Sequence, residues 1–230
     1  MMKLISILLL TSLTLVSYSQ KFQETRRFDA PTSVKIDGKM LVKFHKAEDV
    51  EVVINTEKVD LKDIYTKYSG EELLVRVEPL DIEGGKVTVD LYLPPFTTIQ
   101  ISRGAAARVQ HELLLNNFEA TVSSGATLNL HLDLENLTAK VASGGFLELF
   151  GNLKHLEAKA VTSGKIRTDS LTLQTAKLKA RSGGFIAANP KENAELRATF
   201  GGEIKLLELV KTKTVSTFFK GEIIEDDQNN

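Results

Sequence analysis

Apolar and polar residues alternate along most of this chain, and a period of two is the pattern of β-strands with one buried face. Between residues 27 and 100 the alternating segments are irregularly spaced. Asp37-Gly38 joins two of them and predicts a β-hairpin. Residues 59–68 show no clear period, and the alternation of residues 87–93 ends at Pro94-Pro95 because proline cannot donate a ladder hydrogen bond. The first part of the chain is therefore predicted to be a β-rich lead region.

From residue 117 onwards the alternation itself repeats, as a short strand, a turn that contains glycine and a second short strand. Successive steps from Gly125 to Gly201 are 19, 20, 19 and 18 residues. A more divergent turn, Ser102-Arg103-Gly104, has its glycine twenty-one residues before Gly125. The glycines that we expect to shape these turns are Gly104, Gly125, Gly144, Gly164, Gly183 and Gly201. A constant step with glycine in phase predicts a β-solenoid, whose rungs must stack to bury their apolar faces. A closed barrel or a sandwich would not demand a constant step.

Two details of the repeat lead to further predictions. Val161-Thr162 adds one residue before Ser163-Gly164, which predicts a local bulge at that point. The last turn, Phe219-Lys220-Gly221, departs from the pattern as a capping repeat does. The predicted fold is thus all-β, a parallel β-helix or β-solenoid-like stack with rungs of about 19–20 residues, preceded by the lead region.

The N-terminus has the pattern of a secretory signal peptide. Lys3 precedes an apolar run at residues 4–16, and small residues at Ser17 and Ser19 favour cleavage before Gln20. The run is too short to span a membrane, although an uncleaved N-terminal anchor is the alternative. We therefore expect residues 1–19 to be a signal peptide, 20–100 the lead region, 101–224 the solenoid and 225–230 a charged tail. The compartment would be the periplasm, the outer-membrane surface or the extracellular space.

Composition removes several classes of function. The chain has no cysteine, so thiolate metal sites and a cysteine nucleophile are excluded. Its formal net charge is −1, with charges of both signs interspersed, and no basic patch indicates nucleic acid. No other apolar run approaches the length of a membrane span, so the mature protein is expected not to span a membrane.

The residues that usually carry chemistry are sparse. None of the four histidines has a recurring metal-ligand spacing, and His131 with Asp133 is most simply a solvated strand face. The repeated Ser-Gly turns are a backbone requirement and not a nucleophile. Glu148 and Glu203 fall three rungs apart, about 14 Å, too far for a carboxylate pair. We expect no catalytic residue, no metal site and no cofactor.

Two sets of outward-facing residues suggest binding. Phe146 and Phe185 occupy the same place in alternate rungs, where two rings about 10 Å apart could stack on sugars, contact a protein or pack under the lead region. A cationic stripe on the strands before the turns could meet acidic glycans or lipid phosphates, or could simply keep the sheet soluble. The cations proposed for binding are Lys159, Lys177, Lys179 and Arg181.

The order of these segments resembles a known family, the putative auto-transporter adhesin, head GIN domain. The matching pieces are the strand at residues 87–93 with Pro94, the turn at Gly104 and the Ser-Gly turns that begin at residues 124, 143, 163 and 182. The resemblance covers about residues 27–224. It implies an exported protein with a right-handed β-helix-like stack, and it implies no established activity.

Together these observations predict an exported, non-catalytic protein of the cell envelope with an adhesion or binding role. The ligand would be an envelope glycan or a protein. One alternative is a structural module that assembles with other copies, which would make it a homo-oligomer. A carbohydrate-active enzyme is the other alternative, against which the missing acid pair argues.

Overall fold

A computed structural model describes residues 21–78, 84–109 and 111–225 of the chain. The predicted signal peptide and all of the predicted tail except Glu225 lie outside these residues. Apart from one 3-10 turn at Leu61–Asp63, the regular structure of the described residues is β. The strands are β1 (Lys21–Phe28), β2 (Ser33–Asp37), β3 (Leu41–Lys46), β4 (Val50–Glu57), β5 (Ile64–Ser69), β6 (Glu72–Val77), β7 (Lys86–Leu93), β8 (Thr98–Ser102), β9 (Ala106–Val109), β10 (Leu113–Val122), β11 (Thr127–Ala142), β12 (Phe146–Val161), β13 (Lys165–Arg181), β14 (Phe185–Ala188), β15 (Pro190–Thr199), β16 (Glu203–Leu206), β17 (Thr212–Phe218) and β18 (Glu222–Glu225).

The second half of the chain is a β-solenoid, as predicted. Each rung pairs in parallel with the next, so that β11 lies between β10 and β12, and β12 between β11 and β13. The register brings equivalent side chains above one another in straight columns. One inward column, with every member at 0% exposure, consists of Leu128, Leu147, Ile166, Ile186 and Ile204. The period-two alternation therefore identified the buried face correctly.

Each rung turns through a corner made of two consecutive left-handed residues, and there are seven such corners in the described part of the repeat. The first residues, with φ from +42 to +53, are Arg103, Ser124, Ser143, Thr162, Ser182, Phe200 and Phe219. The second residues, with φ from +57 to +75, are Gly104, Gly125, Gly144, Ser163, Gly183, Gly201 and Lys220. We call these seven pairs the glycine corners. Glycine suits the second position because it adopts positive φ without a Cβ clash.

Gly164 departs from the prediction. Its φ is not in the left-handed region, and Ser163 takes the position that glycine holds in neighbouring corners. Val161 pairs with Ala142, so no residue has been added before the corner. The extra residue of this rung instead follows Arg167, where the register with β12 shifts between Glu148 and Phe150. The predicted bulge was therefore placed on the wrong side of the corner.

A third corner position carries the tightest steric constraint. A Cβ on Gly184 would lie 2.2 Å from the Ala160 carbonyl oxygen, and one on Gly202 would lie 2.4 Å from that of Ala180. A Cβ on Gly144, by contrast, would meet no atom within 4 Å. The second glycine of each Gly-Gly pair is thus required by close approach of the backbone below, and the first by its φ.

The lead region joins the same stack. β2 pairs in parallel with β8, and β3 pairs in parallel with β9, so β2 and β3 form a rung directly below the first predicted one. On the other side β2 pairs with β6, and β3 with β7. The hairpin predicted at Asp37-Gly38 is wrong: β2 and β3 follow one another around a corner, where Gly38 has φ +106. Glycine with positive φ serves both kinds of turn, so the local sequence did not separate them.

The remaining lead strands close the N-terminal end of the stack in antiparallel pairs. β4 pairs with β7, β5 with β6, and β1 with β4 along its outer edge. The ring of Phe96 packs between these lead strands and the first rungs. Phe96 is 1% exposed, and the centre of its ring lies 5.6 Å from the centres of the Phe44 and Phe118 rings. The lead and repeat regions therefore share one continuous core.

Candidate functional site

The structure divides the predicted binding residues between two outer faces that meet at the glycine corners. Phe146 and Phe185 follow the corners, on β12 and β14. Lys159 precedes a corner on β12, and Lys177, Lys179 and Arg181 precede one on β13. The two sets of outward-facing residues thus belong to two separate surfaces.

The first surface is a groove of about 650 Å³ that we call the aromatic groove. Phe146, Lys165 and Phe185 are in register on three successive rungs, so the two rings flank the lysine. Both rings are partly exposed, and Lys165 is exposed. The groove is lined by Phe146, Lys165, Arg167, Asp169, Phe185, Ala187, Glu203, Lys205 and Leu207.

One small residue, Ala187, accounts for the depression in the aromatic groove. Ala187 stands in the column of Glu148, Arg167 and Lys205, and it is 4% exposed where its neighbours have long side chains. Arg167 forms an ion pair with Asp169, whose hydrogen bond raises the pKa of the guanidinium. The groove therefore offers two partly exposed aromatic side chains and cationic groups around a shallow depression, which is suited to a sugar with polar substituents.

The second surface lies before the corners and carries a column of four cations, Lys140, Lys159, Lys179 and Arg197. We call this column the cationic ladder. Its members stand on consecutive rungs, about 4.8 Å apart, so the column extends for about 14 Å. Lys179 lies 3.5 Å from a carboxylate oxygen of Glu157. Among the described residues, no carboxylate forms an ion pair with Lys140, Lys159 or Arg197.

Lys177 belongs to the neighbouring column and not to the cationic ladder. It lies between Glu157 and Glu195 in register, and its Nζ is 2.9 Å from a carboxylate oxygen of Glu195. The hydrogen bond to Glu195 raises the pKa of Lys177. Because a partner on this chain already meets its charge, Lys177 is the weakest of the predicted binding residues.

A groove of about 440 Å³ runs between the cationic ladder and the corner of Phe200, and it is lined by Lys159, Lys179, Ala180, Arg181, Arg197, Thr199, Phe200 and Phe218. The Arg181 guanidinium carbon lies 5.0 Å from the centre of the Phe200 ring, which is a cation–π contact. Phe200 and Phe218 also pack edge to face at 5.8 Å. We call this second groove the ladder groove. The sequence predicted Lys159, Lys179 and Arg181 as binding residues but not Phe200, which the structure brings beside them.

The groups capable of acid–base chemistry lie elsewhere. His45 Nε2 is 2.9 Å from Asp90 Oδ1, a contact between β3 and β7 that no local sequence pattern indicated. Burial lowers the pKa of His111, which favours its neutral form. His131 lies 3.9 Å from Glu112, and the sequence had paired it with Asp133 instead. Within the described residues, no group of three or more His, Asp and Glu side chains could hold a metal ion.

Comparison with known proteins finds one matching family and several solved structures of similar architecture. The model of the family described as putative auto-transporter adhesin, head GIN domain, matches residues 30–208. Among solved structures, a putative adhesin from Bacteroides fragilis NCTC 9343 superposes with a TM-score of 0.79 at 13% identity, covering 90% of this chain and 97% of that one.

Two further structures show the same fold. A putative adhesin from Parabacteroides merdae ATCC 43184 has a TM-score of 0.74 at 14% identity, with 90% of this chain and 97% of that chain covered. A structure named putative lipid binding protein, from Parabacteroides distasonis ATCC 8503, has a TM-score of 0.71 at 12% identity and the same coverage. No curated protein matches the chain. No helix in the described residues is long and apolar enough to cross a membrane.

Proposed function

The chain belongs to the family described as putative auto-transporter adhesin, head GIN domain, and from this premise we propose that it is a non-catalytic binding protein of the cell envelope with a role in adhesion. Residues 1–19 would direct its export as a signal peptide. The ligand would be an envelope glycan, bound in the aromatic groove. A protein ligand on the same face is the alternative that the experiment below must separate.

One observation carries the proposal, namely the two phenylalanines in register on alternate rungs. A solvent-facing strand position is ordinarily polar, and Lys165 holds the same column between them. Two partly exposed rings about 10 Å apart on a sheet present two apolar surfaces that sugar rings can cover. The small side chain of Ala187 leaves room beside Phe185 for the ligand. A rigid, preformed site needs little reordering on binding, which favours affinity.

The test is binding of the purified chain to an array of glycans and of envelope fractions, which should include lipids because one structural relative is named a putative lipid binding protein. The informative variant is Phe146→Ala with Phe185→Ala. A matched control is Phe22→Ala with Tyr65→Ala, since these two aromatic side chains are 39% and 49% exposed and lie on β1 and β5 of the lead region.

We expect saturable glycan binding that the control retains and the Phe146/Phe185 variant loses, with unchanged circular dichroism. Loss of folding in that variant would show that the rings act as core and would contradict the proposal. Binding to envelope proteins and to no glycan would show that the ligand is a protein. Release of new reducing ends from a bound glycan would contradict the non-catalytic assignment.

A self-assembling envelope module is a second candidate function, because the C-terminal end of the stack presents an open edge. Every residue of β17 is exposed, including Val215 at 48% in an inward column. Lys213 and Glu225 form an ion pair across this end. An exposed strand edge can pair with another chain. Light scattering over a wide concentration range tests this candidate, and a constant monomer mass would exclude it.

A further inference from the structure

We infer that the ladder groove is a second binding site, specific for an anionic polysaccharide chain that carries carboxylate or sulfate groups. This site lies before the glycine corners, so it uses none of the residues of the aromatic groove. The inference therefore goes beyond the proposed function and can fail or hold independently of it.

The first argument is the charge of the ladder. Lys140, Lys159 and Arg197 are exposed and have no ion-pair partner among the described residues. Adjacent like charges about 4.8 Å apart on a sheet face repel one another. Four successive rungs keep this arrangement, although a carboxylate in one of them would relieve it, as Glu157 and Glu195 do in the neighbouring column. A linear anion running along the stack would remove the repulsion.

The second argument is the identity of Phe200. Its φ of +52 is shared by the first residues of the other corners, so the backbone alone does not distinguish it. Its side chain does, because an aromatic ring that is 45% exposed stands where earlier corners carry Ser124, Ser143 and Ser182. An exposed ring beside a row of cations is a feature of binding surfaces rather than of a core.

The two features meet in one groove. The Phe200 ring and the Arg181 guanidinium, 5.0 Å apart, line the same groove as Lys179 and Arg197. The exposed part of the ring offers apolar surface to a sugar, while the cations are placed for its acidic substituents. A volume of about 440 Å³ falls in the range of small-ligand sites.

The shape of the site selects the kind of anion. The ladder follows the axis of the stack for about 14 Å, which matches an extended polymer and exceeds a single phosphate or carboxylate. The ladder groove is concave beside Phe200 and Phe218, and a concavity admits a chain but not the flat surface of a bilayer. These observations favour an acidic polysaccharide over an anionic membrane.

The experiment measures binding of the full chain to oligogalacturonate by calorimetry, with the fully methyl-esterified oligomer as a neutral control of the same length. The main variant is Lys159→Gln with Arg197→Gln. Its matched control is Lys154→Gln with Lys211→Gln, which makes the same charge change at two exposed lysines away from the groove. A third variant, Phe200→Ser, introduces the residue that other corners carry and should fold normally.

We expect the wild type and the control to bind oligogalacturonate, and to bind it more weakly as salt rises from about 0.05 M to about 0.5 M. The Lys159/Arg197 variant should lose at least about tenfold in affinity, and Phe200→Ser at least about threefold. The methyl ester should not bind. Binding in the aromatic groove should be unaffected by either change.

Three outcomes would overturn the inference. Equal loss of affinity in the main variant and its control would show that binding depends on the net charge of the protein and not on the ladder groove. Binding to phosphatidylglycerol vesicles without binding to oligogalacturonate would make the patch a membrane contact. A concentration-dependent mass that Phe200→Ser abolishes would make it an interface between copies of this chain.

Discussion

The two ends of this stack share one backbone plan and pack their interiors differently. In the repeat region, β10–β18, inward columns consist largely of alanine and leucine, such as Ala139, Ala158, Leu178 and Leu196. In the lead region, β1–β7, the buried apolar side chains of the described strands include no alanine and are valine, isoleucine, leucine and phenylalanine, as at Val42, Phe44 and Ile54. The contrast shows that a solenoid of constant cross-section limits side-chain volume, whereas an irregular end is filled by large residues that suit its local shape.

Polar groups follow the same division. In the lead region Asp37 is 7% exposed and accepts hydrogen bonds from Ser102, Arg76 and Arg103, which joins β6, β2 and β8. In the repeat region, the ion pairs between described residues lie on the outside, as between Lys177 and Glu195. The lead region is thus held by specific side chains, and the repeat region by register and close backbone contact.

The largest effect should come from Phe96→Ala, which removes the ring between Phe44 and Phe118. Loss of a fully buried phenylalanine destabilises a protein by about 3–5 kcal/mol. We expect a corresponding fall in the urea midpoint followed by circular dichroism, with Phe96→Leu much milder. If only part of the signal shifts, then the lead and repeat regions unfold separately and the shared core does not couple them.

The next largest loss of stability is expected in the repeat region, where Gly184 lies in close contact with the backbone of the neighbouring rung. Gly184→Ala should cost about 3 kcal/mol, at the upper end for overpacking, because its Cβ would lie 2.2 Å from the Ala160 carbonyl oxygen. Gly183→Ala, one residue earlier, should cost only about 1–2 kcal/mol for its φ of +73. Thermal unfolding of both variants checks the order, and equal losses would mean that φ alone governs the corner.

Gly183 and Gly184 also show how much of the fold could be predicted from the sequence. Period-two alternation and a constant step predicted the inward columns, because both are consequences of strand geometry. They did not reveal which glycine is sterically required, since that depends on the carbonyl group of the rung below. For the same reason Ser163-Gly164 was aligned one position out of phase.

The sequence also could not predict which strands pair when they are distant along the chain. The rung made by β2 and β3 lies between β6 and β7 on one side and β8 and β9 on the other, so all of its partners come later in the chain than β4 and β5. Asp37-Gly38 has the composition of a hairpin turn, and nothing local reports that the partner strands lie elsewhere. The sequence already separated Phe146, after the turns, from Lys159, before them, but the grooves beside these residues combine side chains from several rungs and could not be predicted.

A smaller loss is expected from Asp37→Asn in the lead region. Burial raises the pKa of Asp37, but hydrogen bonds from Arg103 and Ser102 and the charges of Arg103 and Arg76 outweigh it, so the net pKa is lowered. Removing the charge should cost about 1–3 kcal/mol, reduced because both guanidinium groups are more than a third exposed.

The lowered pKa also sets a pH dependence. An aspartate depressed in the folded state stabilises the protein above its unfolded pKa of about 3.9, and this contribution is lost as the pH falls through the folded value. Between neutral pH and about pH 3, the difference between the urea midpoints of the wild type and Asp37→Asn should therefore narrow as the pH falls below about 4. A constant gap across that range would show that the carboxylate acts through packing and not through its charge.

The smallest effect should come from Lys177→Gln on the outside of the repeat region. The pKa of Lys177 is raised by its hydrogen bond with Glu195, yet the side chains of the two residues are 43% and 55% exposed, so water and salt screen the pair. We expect the thermal midpoint of this variant to match the wild type within error at physiological salt. A loss comparable to that of Asp37→Asn would mean that the ion pairs of the outer columns contribute as much to stability as the buried hydrogen bonds of Asp37 do. The cationic ladder beside Lys177 would then require a structural explanation before a binding one.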